Sequence, residues 1–374
     1  IHCLKPGHNL LITKGKIIST QYYDLDVANL ESSKLSFNEA VEQYRDLFLD
    51  SIELQLRSDV EIGATLSGGM DSSAIVCSAV HKQGEPLKTF SSYYAFLPEL
   101  DERKWIEKIL QKNFCLNYLV SPAAEDAIRG WEKLTYYNDC PLAAGFVSQN
   151  AVMQEAHRQG IKVLLSGQGS DEISAGYRHS LYRYFADLVR SMQIGRLAKE
   201  LPEYLKKDNK AFSKLGKIML STFLPESALY NLEFRYYRFE PFNRAFTREA
   251  DKNCGEQILK KIADIRTSRL SNFLYNMMHN TSLQTLLHFE DRMAMANSVE
   301  GRVPFLDYRL VDCVLSLPSA YKVQPPYTKV VHRSAMQELI PDEIYRRQDK
   351  GIFSSPFYHV WMKKELKPFI TDIL

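Results

Sequence analysis

From residue 37 onward, apolar side chains fall at helical spacing, with Val41, Tyr44, Leu47, Phe48, Ile52 and Leu56 on one stripe. Ser36-x-x-Glu39 ahead of them has the form of a capping box, so the pattern predicts an amphipathic helix over 37–58. The period then changes. Short apolar runs alternate with helical stretches: strand 61–66, helix 72–83, strand 87–95, helix 101–113, strand 115–120, helices 124–137 and 147–159, and strand 161–166. Apolar strands joined through helices require right-handed crossovers, so the fold class expected is α/β, with a doubly wound parallel sheet covered on both faces. Upstream, "HNLLITKGKIISTQYYDL" places a Lys-Gly-Lys turn between two β-rich runs, and two strands alone are marginal, so this hairpin is expected to pack on something N-terminal to it. After about residue 178 the strand signal disappears and helical runs rich in Tyr, Phe and Leu replace it. The organisation predicted is a hairpin over 1–35, an α/β core over 36–178 and a mainly helical region over 179–374.

Composition narrows the classes. At 374 residues the chain is long enough for two cores. A formal net charge of +2 gives no electrostatic footprint for nucleic acid. No apolar stretch approaches the roughly 20 residues of a spanning helix, and "IHCLKPGHNL" is no signal peptide. The expectation is a cytoplasmic protein with neither membrane nor nucleic acid as partner. Six cysteines without a C-x-x-C pair argue against a zinc site and give no framework for disulfides, so they are expected to be reduced.

Open parallel sheets bind ligands outside the carboxyl ends of their strands, where the strand order reverses. Two glycine-rich turns follow predicted strands. In the first, Ser67-Gly68-Gly69-Met70-Asp71-Ser72, the glycines remove Cβ atoms that would block close approach, and the backbone N–H groups with the helix N-terminus favour an anion. A plain strand-to-helix turn with Asp71 or Ser72 as N-cap would use the same residues. G-x-x-x-x-G-K-[ST] is absent, so this is no Walker loop. In the second, "LLSGQGSDEISAGY" over 164–177, Asp171 and Glu172 follow Ser166-Gly167 within one turn. Asp71 and Asp171, one from each loop, are what a Mg²⁺ on nucleotide phosphates takes: one or two carboxylates beside phosphate oxygens and water.

"LSGGMDSS" resembles the S-G-G-x-D-S signature of the N-type ATP pyrophosphatases, the PP-loop superfamily. The blocks "DCPLAAGFVSQNAVMQEAHRQGIKVLLSGQGSDEISAGY", "EDRMAMANSVEGRVPFLDYRLVD" and "QDKGIFSSP" extend the resemblance to the synthetase domain of glutamine-dependent asparagine synthetases. The opening "LKPGHNLLI" is similar to the segment that closes that family's N-terminal glutaminase domain, so residues 1–35 are expected to be a remnant of it. The resemblance implies that a substrate carboxylate attacks the α-phosphate of ATP, pyrophosphate leaves, and ammonia or an amine displaces AMP to form an amide. The cofactors implied are ATP and Mg²⁺. The partners implied are an aspartate-like carboxylate, ammonia or an amine, and a glutaminase domain in cis or in trans, with a homodimer as a candidate assembly.

Carried over residue by residue, Leu66 and Ser92 would line the adenosine site with Ser166 and Gly167 at its edge. Ser67, Gly68, Gly69 and Ser72 would hold pyrophosphate, Asp71 and Asp171 would hold Mg²⁺, and Lys350 would reach over the phosphates. Gln168 stands where some asparagine synthetases carry a glutamate and the related β-lactam synthetases a tyrosine tied to handling the amine, while many bacterial members carry glutamine as here, so the residue does not exclude amidation. A glutamine has no titrating proton, so Glu172 and Glu290 become the candidates for amine activation. Glu290, Arg292, Glu300 and Arg302 are placed either near the acceptor side or in a structural ion-pair network. Family members continue for several helices past the position of Lys350, so part of the helical region's packing is expected from beyond residue 374. Two alternatives stay open: an enzyme on the same scaffold that closes an amide within its own substrate, as β-lactam synthetases and lasso-peptide cyclases do, and a non-catalytic nucleotide-binding homologue. The ligase reading requires the two glycine-rich turns to converge on one triphosphate.

Overall fold

The computed structural model describes residues 4–140, 146–206, 210–237, 267–349, 355–357 and 360–373. Five strands build the main sheet: β3 (Ile62–Thr65), β4 (Leu87–Ser92), β5 (Cys115–Val120), β6 (Val163–Leu165) and β7 (Glu300–Arg302). Their order is β5-β4-β3-β6-β7 and every pairing is parallel. The chain moves outward one way through β4 and β5, then returns to the other side of β3 with β6. Adjacent β3 and β6, where Ala64 sits opposite Leu165, are therefore the switch point at which such sheets open a crevice. Ile62, Ala64, Val163, Leu164 and Leu165 are all buried, as the continuous apolar runs of a sheet covered on both faces require.

Helix α1 (Phe37–Gln55) begins at the predicted capping box: Glu39 donates its backbone N–H to Ser36 Oγ at 3.4 Å, and Ser36 N–H donates to Glu39 Oε2 at 2.8 Å. Its inner stripe, Ala40, Tyr44, Phe48 and Ile52, is fully buried. The crossovers follow as α2 (Met70–Gln83), α3 (Arg103–Lys112), α4 (Ala124–Asn138) and α5 (Phe146–Arg158). After β6 come α6 (Ser170–Ile173), α7 (Arg178–Arg190), α8 (Ile194–Lys206), α9 (Ala211–Phe223) and α10 (Glu226–Tyr237). The remainder holds α11 (Arg269–His279), α12 (Ser282–Ala296), α13 (Tyr308–Ser316), α14 (Ser319–Lys322), α15 (Val330–Met336), α16 (Asp342–Arg346) and α17 (Lys367–Ile373).

The expectation that strands end near residue 178 needs correction, because β7 extends the main sheet and β8 (Val323–Gln324) pairs antiparallel with β9 (Tyr327–Thr328). Glu300-Gly301-Arg302 carries no apolar residue, so nothing in its pattern announces a strand; pairing with β6 makes it one. Glu300 N–H donates to Lys162 O, and Ser166 N–H donates to Arg302 O, both at 2.8 Å. The predicted strands also shorten, 87–95 to Leu87–Ser92 and 161–166 to Val163–Leu165. One apolar core runs through both halves of the chain: Phe48 of α1 stacks on Phe305 at 4.8 Å and meets the His332 ring edge-on at 5.9 Å. The hairpin β1 (His8–Thr13) and β2 (Lys16–Gln21) forms as predicted and is exposed along nearly its whole length. Cys77, Cys115, Cys140 and Cys313 carry free thiols.

Candidate functional site

The first loop leaves β3 at Leu66, whose backbone N–H donates to Phe90 O at 2.9 Å and whose side chain is buried in the core. Any contact from Leu66 to a nucleoside therefore comes through its backbone. Gly68 adopts φ +70°, and a Cβ there would stand 2.7 Å from Trp105 Cβ, so the turn has room for no other residue. Ser67 and Ser72 close the loop on itself: Ser72 Oγ accepts from Ser67 N–H at 3.1 Å and lies 3.0 Å from Ser67 Oγ, while Gly69 N–H donates to Ser67 Oγ at 3.4 Å. Ser73 Oγ donates to Gly69 O at 2.6 Å, tying the loop to the first turn of α2. Neither Asp71 nor Ser72 is the N-cap; Gly69 holds that position without a side-chain cap, which leaves the α2 N-terminus open to an anion.

The second loop leaves β6 and meets the first directly. A Cβ at Gly167 would lie 3.3 Å from Asp71 Cβ and 3.5 Å from Ser72 N, so glycine there permits the approach. Ser170, on α6, donates to Asp71 Oδ1 at 2.7 Å. Between the two acids sits Lys329, whose Nζ is 2.5 Å from Asp71 Oδ2 and 2.7 Å from Asp171 Oδ1. The two loops thus converge on one point, as the sequence reading required.

Lys329 escaped the sequence reading altogether. It follows β9 in the left-handed region, φ 57° and ψ 40°, as the residue before α15, a backbone state that ordinary side chains occupy only where the surroundings hold them. Its side chain is 7% exposed. Burial alone would push the ammonium's pKa down, but Asp171 and Asp71 outweigh it and hold the pKa above the ordinary lysine value. The only trace in the sequence is a lysine before the apolar pair Val330-Val331.

His332, one turn along α15, is fully buried, and burial pushes its pKa down to about 3. The imidazole is therefore neutral at physiological pH, and its Nε2, 3.6 Å from Asp71 Oδ1 and without a hydrogen-bond partner among the described residues, makes a long neutral contact there and no ion pair. Tyr44, held protonated by burial, lies 3.0 Å from Nδ1 on the other side of the ring.

The two amine-side candidates differ. Glu172 is buried and its carboxylate accepts from Tyr177 Oη at 2.6 Å and from Ser282 Oγ at 3.2 Å, joining α6 to the start of α12. Glu290, on α12, is 3% exposed, and burial raises its pKa above the ordinary glutamate value. Ser166, Gln168 and Gln149 surround it and moderate that rise, yet none closes a hydrogen bond of standard geometry on either oxygen. Glu290 is thus a buried, under-satisfied carboxylate beside the ambiguous Gln168. Both groups favour the neutral acid more than an exposed glutamate does.

The other candidates are dispersed. Ser92 ends β4, half-buried, two strands from β6. Arg292 pairs with Asp139 at 3.3 Å on the surface. Glu300 and Arg302 pair with each other at 2.6 Å on β7, and Arg302 donates to Gln55 O and Arg57 O at 2.6 and 2.9 Å. These two follow the ion-pair alternative, anchoring the sheet edge to the end of α1. Lys350 lies outside the described residues.

Among the described residues no group of three or more His, Cys, Asp and Glu is arranged to hold a metal ion. The donor set that is present, two carboxylates already sharing one cation, nevertheless fits a Mg²⁺ whose remaining ligands are phosphate oxygens and water. Among the described residues no helix is long and apolar enough to cross a membrane.

A family profile described as asparagine synthase matches residues 43–374. The chain is 28% identical over 394 residues to asparagine synthetase (glutamine-hydrolyzing) 1 of Bacillus subtilis, covering 99% of this chain and 58% of that protein. To asparagine synthetase (glutamine-hydrolyzing) 3 of the same organism it is 29% identical over 361 residues, 92% of this chain and 53% of the relative. A protein named amidase chry2 in Gibberella zeae is 23% identical over 399 residues, 94% of this chain and 58% of its own length. The chain spans little more than half the length of these relatives.

Proposed function

The chain belongs to the asparagine synthase family, and on that premise we propose that it is an ATP-dependent ligase that adenylates a carboxylate and passes the acyl group to ammonia or an amine. The observation that carries the reading is the convergence of Asp71 and Asp171, from the ends of β3 and β6, on the ammonium of Lys329. A carboxylate oxygen of the substrate attacks the α-phosphorus of ATP, the bond to the bridging oxygen breaks, and pyrophosphate leaves with the negative charge that develops. The Gly68–Gly69 turn and the open α2 N-terminus receive that charge, and Lys329, with Lys350 by family resemblance, neutralises it as it grows. Mg²⁺, held by Asp71 and Asp171, would supply further charge neutralisation on the phosphate oxygens.

In the second half the amine nitrogen attacks the acyl carbon, AMP departs, and the nitrogen must lose a proton. Glu172 already receives two hydroxyl donors, so in this reading Glu290, in its ionised form, is the proton acceptor, its burial raising its affinity for the proton it takes, with Gln168 orienting the amine as a donor and acceptor that does not titrate. The carboxylate proposed is aspartate and the product asparagine. Ammonia would come from a glutaminase domain in cis or in trans, with the exposed hairpin residues Ile12 and Ile17 packing against it.

The test is incubation with α-³²P-labelled ATP, aspartate and ammonia. Labelled AMP with equimolar pyrophosphate and asparagine is the expected result, and labelled ADP would overturn the reading. Pyrophosphate release that needs a peptide carboxylate and ignores aspartate would assign the chain to intramolecular amide closure, the chemistry of other enzymes on this scaffold.

A further inference from the structure

Immediately after α16 the side chain of Arg347 runs inward and is 4% exposed. All five of its N–H donors are engaged. Nη1 donates to Gly68 O at 3.1 Å and to Glu102 Oε2; Nη2 donates to Glu102 Oε1 and to Asp349 Oδ2, both at 2.9 Å; Nε donates to Asp349 Oδ1 at 3.2 Å. The guanidinium plane also lies 4.6 Å from the centre of the Trp105 ring. Glu102 and Trp105 belong to the start of α3, and it is Trp105 Cβ that a Cβ on Gly68 would strike. Arg347 and α3 together therefore form a wall behind the first peptide of the anion-binding turn.

That contact has a directional consequence. In a planar trans peptide the carbonyl and the following N–H point to opposite sides. Gly68, with no Cβ and a positive φ, is the residue of the turn with the most freedom to rotate its peptide. Holding Gly68 O against Arg347 on the outer side turns the Gly69 N–H inward, where it meets Ser67 Oγ. We infer that Arg347 is a positioning residue for pyrophosphate: it fixes the Gly68–Gly69 peptide with its N–H on the inner side of the turn, where the anion displaces the long 3.4 Å contact to Ser67 Oγ, and through Asp349 it joins the chain directly before Lys350 to the same loop. The inference rests on the ligase reading above. Lysine cannot replace it, because three donors on a single nitrogen cannot hold two carboxylates and a carbonyl in one plane.

Arg347→Met and Arg347→Lys in the full chain test this, with Arg346→Met as the control. Arg346 is 74% exposed at its side chain and, among the described residues, pairs with Asp342 alone. The probes are inorganic pyrophosphate with Mg²⁺ and, separately, adenosine, each titrated by calorimetry. Both Arg347 variants should bind pyrophosphate roughly tenfold to a hundredfold more weakly, the range that one charge-assisted hydrogen bond spans, with adenosine affinity unchanged and the Arg346 control like wild type. Arg347→Lys retains a charge for Glu102 and keeps the test open if Arg347→Met does not fold. Equal weakening for pyrophosphate and adenosine would reduce Arg347 to a general structural role and overturn the inference. So would wild-type pyrophosphate affinity in either folded variant, leaving the ligase reading intact. A wild-type protein that binds no pyrophosphate would overturn both.

Discussion

Replacing Lys329 by methionine isolates the group on which the two loops converge. The substitution keeps a similar stem and removes the charge that Asp71 and Asp171 share. Removing one partner from a buried ion pair costs about 3–5 kcal/mol, chiefly because the remaining charge stays desolvated. Here the two carboxylates are 21% and 18% exposed, so water screens part of their repulsion, and the lower end, about 3 kcal/mol, is the expectation. For a chain of 374 residues that corresponds to a melting temperature lower by roughly 4 °C. Calorimetric melting of Lys329→Met, with and without millimolar Mg²⁺, is the assay. The divalent ion should raise the melting temperature of the variant more than that of the wild type, since it can stand between the same carboxylates. Adding Asp71→Asn to the variant should recover most of the loss, because a single carboxylate then remains. A variant melting within 1 °C of wild type, or a double variant that recovers nothing, would refute the coupling of the three groups.

Asp71→Asn in the wild-type background should abolish pyrophosphate release, read by a coupled phosphate assay, while shifting the melting temperature by less than about 3 °C, since Lys329 keeps Asp171 as partner. Gly176→Ala would drive a methyl group into Asp171 Oδ1 and Lys329 Cε; pyrophosphate affinity should fall at least tenfold, and unchanged binding would show that the acids need not hold this geometry. Asp187 accepts the N–H groups of Arg269 and Leu270 at the start of α11, and burial pushes its pKa up to about 7. A raised acid holds its proton longer in the folded state, so its contribution is fully present below the unfolded value near 4 and is lost as pH rises towards 7. The wild type should therefore lose up to about 4 kcal/mol relative to Asp187→Asn between pH 4 and pH 8, measured by urea denaturation; parallel curves would exclude a titration there.

The local grammar of this chain was legible without coordinates. The capping box set the start of α1, apolar runs placed β3 to β6, and glycine pairs at two strand ends marked the turns where Asp71 and Asp171 would stand. Each of these depends on residues close in sequence, so each leaves a pattern there. β7 left none, because Glu300-Gly301-Arg302 becomes a strand only when β6 offers it backbone partners. The reassignment of Glu300 and Arg302 to the sheet edge follows from the same pairing, and the sorting of Glu172 from Glu290 needed the positions of Tyr177, Ser282 and Gln168 together. Lys329 and Arg347 are more than 250 residues from the loop they contact: the sequence separations are 258 and 279. A lone basic residue has no periodicity, and only the packing of α15 and α16 onto the α/β core decides which lysine and which arginine are buried against the first glycine-rich turn.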